Sequence, residues 1–295
     1  MNRLALRHLV CSIDVSGSFT APLAYAMAIA RAHESDLRVV HVIPVPETAV
    51  SDDVGSLRRT QTLDRLRAIV EEAGTSIPDL VGTAVRTGDP ATQVLRVARG
   101  LSADLIVLGA PNIEIPERPA GPVASAVVSR SECPVLTVPT GPSAPVDAAG
   151  FFTRIVCAAD PSPSCESVIR QALSLAWESN AHLTIVSVVA PTGDSSPAHV
   201  RDALMSAIPA EAAAWCSVEV EVVSGVPDTE IVRVAAERNA EVIVIGAPRR
   251  WTSAAHGVLG HARRPVLVTH DTRPLPWPSA TRDVATAAGM NRSRS

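Results

Sequence analysis

The chain of 295 residues repeats itself once, and this duplication constrains its fold more than any other feature. The segment RHLVCSIDVS recurs as TRIVCAADPS, and Asp14 aligns with Asp160 in this comparison. A further segment places Gly109 opposite Gly246. The matched segments are 7–16 with 153–162, 87–111 with 224–248, and 133–139 with 264–270. A long internal repeat is the signature of one structural unit that is built more than once, so we predict two similar domains.

Two stretches fall outside the repeats. Residues 141–150 are rich in proline, glycine and small side chains, which is typical of a linker. Residues 271–295 show no hydrophobic periodicity and are predicted to be a disordered tail. The predicted organisation is therefore a first domain at 1–140, the linker, a second domain at 151–270 and the tail.

Each repeat alternates short β-branched runs with helical patterns. The runs HLVCSI, LRVVHVI and DLIVLGA lack polar alternation, which is typical of strands that are buried on both faces. Between the runs, apolar residues recur at helical spacing, as at Leu23, Met27 and Ala30. The pattern predicts an α/β fold of two tandem doubly wound parallel sheets with five strands each. In such sheets a ligand binds beyond the carboxyl ends of the strands, where the strand order reverses.

The composition excludes several classes of function. All 26 basic residues are arginine, so no lysine is present to form a Schiff base or to serve a P-loop or a protein kinase. A net charge of −4 and an aromatic content of 3% argue against nucleic acid as a partner. No apolar run reaches about 18 residues, so no membrane partner is expected and a cytoplasmic location is predicted.

The five cysteines do not predict a disulfide framework or a zinc site, because their number is odd and no C-x-x-C pair occurs. Buried structural thiols are the common case for cysteines in apolar runs. His256 and His261 are five residues apart, a spacing that misses a common helix face. No metal site is therefore predicted from the protein ligands.

The chain resembles the universal stress protein family in its tandem form, over about 1–140 and 151–270. The resemblance is carried by the aspartate after the first strand, by the HV that ends the second strand (His41 and Val42), and by DLIVLGA and CPVLTV. It implies a Rossmann-like fold of the adenine nucleotide alpha hydrolase type. It also implies an adenosine pocket after the first two strands and a loop, G-x2-G-x9-G-[ST], that holds the phosphates of ATP ahead of a helix N-terminus.

In the first repeat the resemblance implies five candidate nucleotide-binding residues: Asp14, Val42, Gly109, Asn112 and Gly121. Asn112 carries a side chain where the family has glycine. Pro122 replaces the final Ser or Thr of the motif and lacks both an N–H and a hydroxyl, although it suits the first turn of a helix. We therefore expect the first repeat to have lost ordinary ATP binding.

In the second repeat the corresponding candidates are Asp160, Val188, Gly246, Arg249, Arg250, Thr252 and Ser253. Thr252 and Ser253 supply hydroxyls that can cap the following helix, and two arginines just before them can hold an anion. Only five residues separate Gly246 from Thr252, where the family has twelve. The alternatives are a site for AMP or a small anion and a vestigial loop.

Two further residue types leave alternatives open. Asp14 and Asp160 face a ligand, or each caps the next helix through an Asx turn. In the first repeat Ser16 or Ser18 could serve as the cap and free Asp14. His41 is expected to be a packed histidine at a strand end rather than a base.

The leading hypothesis is a non-enzymatic stress-response regulator that binds ATP or AMP weakly, more readily in the second domain. The alternatives are an interaction scaffold that has lost nucleotide binding and, last, a slow ATP hydrolase, for which no general base or metal cluster is evident. The fifth strands are VLTV and VLVT, and the resemblance implies that they are edge strands through which family members pair. This predicts either a homodimer through edge strands or a pseudo-dimer within the chain.

Overall fold

The β-branched runs form strands and the amphipathic segments form helices in the computed structural model. It describes residues 6–17, 20–44, 52–73, 81–110, 121–139, 152–162, 165–191, 196–214, 216–247 and 253–270. The predicted linker at 141–150 and the predicted tail at 271–295 lie outside these residues. Among the described helices, none combines the length and the hydropathy that a membrane-spanning segment needs.

Each repeat contributes five strands. The first repeat contains β1 (His8–Ser12), β2 (Asp36–Ile43), β3 (Val81–Thr87), β4 (Leu105–Ala110) and β5 (Val135–Pro139). The second repeat contains β6 (Arg154–Ala158), β7 (His182–Val189), β8 (Ser217–Ser224), β9 (Val242–Gly246) and β10 (Val266–Thr269).

Four α-helices connect the strands in each repeat. The first four are α1 (Thr20–His33), α2 (Asp52–Ala73), α3 (Pro90–Gly100) and α4 (Pro122–Arg130). The second four are α5 (Cys165–Ser179), α6 (Pro197–Ser206), α7 (Pro227–Glu237) and α8 (Ser253–His261), with a short 3₁₀ helix at Ala210–Ala214.

All ten strands belong to one sheet, in the order β3-β2-β1-β4-β5-β10-β9-β6-β7-β8. Within each repeat the neighbouring strands are parallel. The predicted doubly wound parallel sheet of five strands is therefore confirmed in each repeat. The two sheets are also joined, because β5 pairs with β10 in the antiparallel direction.

The antiparallel joint has a symmetric register. Leu136 of β5 lies opposite Leu267 of β10, and these two residues occupy the same position in the two repeats. The flanking pairs, Val135 with Val268 and Thr137 with Val266, obey the same symmetry. Because the joint is antiparallel, the carboxyl ends of the two sets of strands lie at opposite edges of the sheet.

Helices cover both faces of the sheet, so the molecule has two hydrophobic cores. Helices α1, α2, α5 and α6 pack on one core, and α3, α4, α7 and α8 pack on the other. Successive strand residues alternate between the two cores, as Leu9 and Cys11 do with Val10. Each core contains residues from both repeats, so the joint between β5 and β10 lies inside a continuous interior.

A buried contact between a histidine and a carboxylate also links the repeats. His33 Nε2 of α1 lies 3.4 Å from Glu178 Oε2 of α5, and both side chains are only 3% exposed. The equivalent positions in the opposite repeats are Ser179 and Ala32, so the pair forms once in the chain. Because a buried charge is costly without its partner, this contact favours pairing of one repeat with the other.

We predict that Leu136→Ala destabilises the protein by about 2–5 kcal/mol, because it leaves a cavity at the joint where Leu136 is 1% exposed. Leu57→Ala is the matched control, since Leu57 on α2 is 61% exposed and should change stability by about 0.5 kcal/mol or less. Urea denaturation of the two variants measures the difference. Equal midpoints for both variants would show that the joint does not support the fold.

Candidate functional site

A cavity of about 350 Å³ lies at the carboxyl ends of the strands of the second repeat. It opens between β6 and β9, where the strand order reverses, and β7, β10, α5, α7 and α8 also contribute to its wall. Its volume falls in the range of about 300–1,000 Å³ that is usual for small-molecule sites. The cavity occupies the position that the topology of a doubly wound sheet predicts.

Three of the predicted residues line this cavity: Asp160, Val188 and Gly246. Ser253 is the first residue of α8, and the next two residues of that helix also line the wall. Arg249, Arg250 and Thr252 of the second repeat, and Asn112 of the first, lie outside the described residues.

The wall of the cavity is mainly apolar. Val168 of α5 and Val186 of β7 line it, and Ile231, Ile245 and Val258 contribute further branched side chains. A surface of this kind buries a flat, weakly polar ring such as a nucleobase, while a few placed polar groups fix its orientation.

The polar groups of the wall are Asp160, Cys165 and Thr269. The Thr269 hydroxyl donates to the Ile245 carbonyl at 3.3 Å and is therefore already bonded. The Asp160 side chain is exposed and lines the cavity. Among the described residues, no N–H or O–H group donates a hydrogen bond to its carboxylate. A carboxylate only accepts hydrogen bonds, so Asp160 is placed to accept them from the hydroxyls of a ligand.

Asp14, the counterpart of Asp160, is engaged within its own loop. Its Oδ1 accepts hydrogen bonds from the Ser16 N–H at 2.9 Å and from the Ser16 hydroxyl at 2.7 Å. Partial burial opposes its ionisation, but these two bonds and the nearby His41 ring hold the pKa of Asp14 below its ordinary value. Ser16 therefore donates hydrogen bonds to the Asp14 carboxylate and does not leave it available to a ligand.

The first repeat carries a larger side chain than the second at one position that lines the cavity, and at a neighbouring position of the second strand. Ile13 stands at the position of Ala159, belongs to the core and is 5% exposed. His41 stands at the position of Ser187, and its Nδ1 lies 3.1 Å from the Ile13 carbonyl oxygen. As expected, His41 is a packed histidine at a strand end. The predicted Val42 is likewise buried, at 7% exposed.

The glycines of the two loops have structural roles. Gly121 precedes α4 with a φ of +85°, a backbone conformation that favours glycine, and Pro122 starts the helix as predicted. A Cβ on Gly246 would lie 2.5 Å from Val168 Cγ2, so glycine there allows α5 to approach the end of β9. Gly109 pairs in register with Val138 on β5.

The first turn of α8 faces the cavity through Ala254 and Ala255. The first N–H groups of a helix have no partner within the helix, and the helix dipole places a partial positive charge there. This end of the cavity therefore favours an anionic group such as a phosphate.

The sequence reasoning did not identify Cys165, Thr269, or the residues of α7 that line the cavity. The alignment of the repeats contained one indication of a cavity. Ala159 stands where the first repeat has Ile13, so the second repeat has a smaller side chain at this strand end. Pro227 and Ile231 gave no such signal, because their role depends on how α7 packs against α8.

The cysteines divide into two groups. Cys11, Cys133, Cys157 and Cys216 are buried, and Cys165 at the cavity is partly exposed. Burial raises the pKa of Cys157 to about 12 and that of Cys216 to about 11. Partial burial, with a smaller effect of the Asp160 carboxylate, also raises the pKa of Cys165. In the part of the chain that the structure describes, no three His, Cys, Asp or Glu side chains form a group that could hold a metal ion.

Comparisons with known proteins identify the family. The universal stress protein family model matches residues 6–139 and 151–270, and the chain therefore belongs to that family. The tandem form predicted from the sequence is confirmed. A comparison with curated proteins finds no match.

Two solved structures share the fold over most of the chain, and a third matches less than half of it. A universal stress protein from Archaeoglobus fulgidus DSM 4304 is 18% identical, covers 91% of this chain and 97% of its own, and has a TM-score of 0.69. A functionally unknown protein from Pseudomonas aeruginosa PAO1 is 20% identical, with coverages of 90% and 93% and a TM-score of 0.60. A universal stress protein solved in complex with cAMP is 28% identical and covers 98% of its own chain but 41% of this one, with a TM-score of 0.34.

We predict that iodoacetamide labels Cys165 first at a pH of about 8.5, where an ordinary thiol is about half ionised. The buried thiols should react only as the protein unfolds, because their raised pKa values and their burial keep them neutral and inaccessible. Mass spectrometry of the labelled peptides measures the order of reaction, and Cys165→Ala should remove the fast phase. Labelling of Cys157 as fast as that of Cys165 would contradict the described burial.

Proposed function

We propose that this protein is a non-enzymatic stress-response regulator that binds an adenine nucleotide weakly, and that it does so in the second repeat. The observation that carries the proposal is the contrast between two equivalent carboxylates. Asp160 lines a cavity of ligand size, whereas Asp14 is bonded to Ser16 beside the packed side chain of Ile13.

The features of the cavity suit the three parts of a nucleotide. The branched side chains from β7, α7 and α8 suit the base, and the Asp160 carboxylate suits the hydroxyls of the ribose. The N-terminal turn of α8 suits a phosphate. Arg249, Arg250, Thr252 and Ser253 remain the predicted partners of that phosphate.

Weak binding is expected for two reasons. The one charged group among the described residues of the cavity wall is the Asp160 carboxylate, which repels an anionic ligand unless it bonds to hydroxyls. The connection from β9 to α8 is also short, so it offers few backbone donors to the phosphates.

A regulatory role is favoured over catalysis by the chemistry of the described wall. Catalysis by a nucleophile needs an adjacent base within hydrogen-bonding distance. Cys165, the nucleophilic side chain that the structure describes there, has a raised pKa and lies beside a carboxylate that raises it further. This arrangement opposes formation of a thiolate.

We predict that AMP, ADP, ATP or cAMP raises the melting temperature, since saturation at about 100 times the Kd adds roughly 2.7 kcal/mol. Asp160→Asn should weaken binding about tenfold or more, because it removes hydrogen bonds to a charged group worth about 1.5–3 kcal/mol. Asp14→Asn is the matched control and should leave the affinity unchanged. The double variant Arg249→Ala/Arg250→Ala tests the predicted phosphate partners in the same assay.

Protection of Cys165 gives a second readout that does not depend on stability. A nucleotide in the cavity should slow iodoacetamide labelling of Cys165 in the wild type and have little effect in Asp160→Asn. If no nucleotide shifts the melting temperature and none is found in the purified protein by mass spectrometry, the scaffold alternative stands. Phosphate release faster than in a Ser253→Ala control would instead support an ATP hydrolase.

A further inference from the structure

We infer that Arg201 and Arg86 prevent the two ends of the sheet from pairing with a second copy of this chain. Among the described strands, β3 and β8 have a neighbouring strand on one side only. A row of open backbone N–H and C=O groups on an end strand is a template for another strand. The inference is independent of the proposed nucleotide site, because neither β3 nor β8 contributes to the described wall of the cavity.

The hydrogen bonds of β8 determine which of its backbone groups face the open edge. The Ser217 N–H donates to the Ala181 carbonyl oxygen at 3.2 Å, and the Gly225 N–H donates to the Val189 carbonyl oxygen at 3.1 Å. In a parallel pair alternate residues bond to the neighbouring strand, so the odd-numbered residues of β8 bond to β7. The even-numbered residues therefore present their N–H and C=O groups to the open edge, among them Val218, Val220 and Val222.

Helix α6 places one guanidinium group on this open edge. Arg201 Nη1 donates a hydrogen bond to the carbonyl oxygen of Val220, the middle one of the three valines. A second strand that pairs with β8 needs this carbonyl as an acceptor. It must therefore displace the guanidinium group or bury its charge, and burying a charge without a partner is costly. The contact therefore opposes pairing at β8.

The other end strand has a similar contact. The Gly88 N–H, just beyond β3, donates to the Ile43 carbonyl oxygen of β2 at 3.1 Å. The even-numbered residues of β3 therefore bond to β2, and the odd-numbered residues face the open edge. Val85 is one of these, and Arg86 Nη1 donates to its carbonyl oxygen at 3.3 Å. An arginine thus contacts an open-edge carbonyl on each end strand.

The two contacts are not copies of each other. Arg86 lies within β3, and its counterpart in β8 is Val223. In the second repeat the arginine comes from α6 instead, and it bonds to Val220, whose counterpart in the first repeat is Thr83 and not Val85. Duplication of the sequence therefore does not account for the presence of an arginine at both edges, whereas a common requirement of open edges does.

The charges of both arginines remain available at the edges. In the part of the chain that the structure describes, no carboxylate forms an ion pair with Arg86 or Arg201. Charged side chains on edge strands are a known protection against unwanted pairing, and lysine is the residue most often used. This chain contains no lysine, so arginine is the cation that can serve this purpose.

The strands that these arginines cover are otherwise well suited to pairing. They span 7 and 8 residues, which exceeds the mean strand length of about 5–6 residues. Four of the eight residues of β8 are valine, which favours strands. Pairing of β8 with β3 of the next copy would be head-to-tail and would extend the sheet from chain to chain, whereas pairing of β8 with β8 would close as a dimer. The arginines oppose both.

The test measures the molar mass of the full chain against protein concentration by sedimentation velocity. We expect Arg201→Ala to self-associate at a concentration about tenfold lower than the wild type, or lower still. Arg86→Ala should show the same shift through β3. Arg170→Ala is the matched control, because it removes an exposed arginine from α5, which packs on β6, β7 and β9, and it should behave as the wild type.

A second substitution distinguishes edge pairing from other causes of association. Val222→Pro removes an N–H group from the open edge of β8 and leaves the bonds to β7 intact, because Val222 is one of the outward-facing residues. Combined with Arg201→Ala, it should restore the behaviour of the wild type. Thr83→Pro should do the same when combined with Arg86→Ala.

Hydrogen exchange measured by mass spectrometry locates the contact. In Arg201→Ala, the backbone amides of residues 217–224 should exchange more slowly as the protein concentration rises, because open-edge N–H groups become bonded. In Arg86→Ala, the same change should occur at residues 81–87.

The inference would be overturned if neither Arg201→Ala nor Arg86→Ala associated more strongly than the wild type. Association of Arg170→Ala to the same extent would also overturn it, because loss of any surface arginine would then suffice. Association that the proline substitutions do not reverse would show that the open edges are not the contact. A shift in one arginine variant alone would overturn the role of the other arginine.

Discussion

The antiparallel pairing of β5 with β10 is the interaction on which the rest of the structure depends. It joins two five-stranded sheets through Leu136 and Leu267, and it covers the edges of β5 and β10, so that β3 and β8 are the end strands of the sheet. It also makes both cores continuous across the chain, which the His33–Glu178 pair reinforces. Because the pairing is antiparallel, it places the carboxyl ends of the two repeats at opposite edges. The described cavity is accordingly lined by one repeat alone, so its residues can diverge without altering their counterparts in the other repeat.

The two repeats differ in the side chains at the end of their first strand. In the first, Ile13 fills the end of β1, His41 packs beside it, and Asp14 is bonded to Ser16. In the second, Ala159 replaces the isoleucine and Asp160 lines a cavity. Small side chains at a strand end give up dispersion contacts, so the second repeat has less packing at this point.

The fold was readable from the sequence because it depends on local periodicity. Apolar runs without polar alternation predicted strands covered on both faces, and the internal repeat predicted two equivalent units. The cavity was harder to foresee, since its volume depends on which side chains from α5, α7 and α8 converge on one strand end. The contact of Gly257 with Asp228 joins residues far apart in the chain, and no local pattern marks it. Asp160, Val188 and Gly246 line the cavity, but their binding of a nucleotide, like that of Arg249, Arg250, Thr252 and Ser253, remains a prediction.

We propose that the second repeat binds a nucleotide and that packed side chains fill the equivalent position in the first repeat. Isothermal titration calorimetry on the full chain measures the number of AMP molecules that bind. We expect one AMP per chain, and we expect Ala159→Ile, which gives the second repeat the side chain of the first, to abolish binding. Ala198→Ile on the exposed surface of α6 should have no effect. Two AMP molecules per chain would show that both repeats bind, and unchanged binding in Ala159→Ile would show that the side chain at this position does not decide binding.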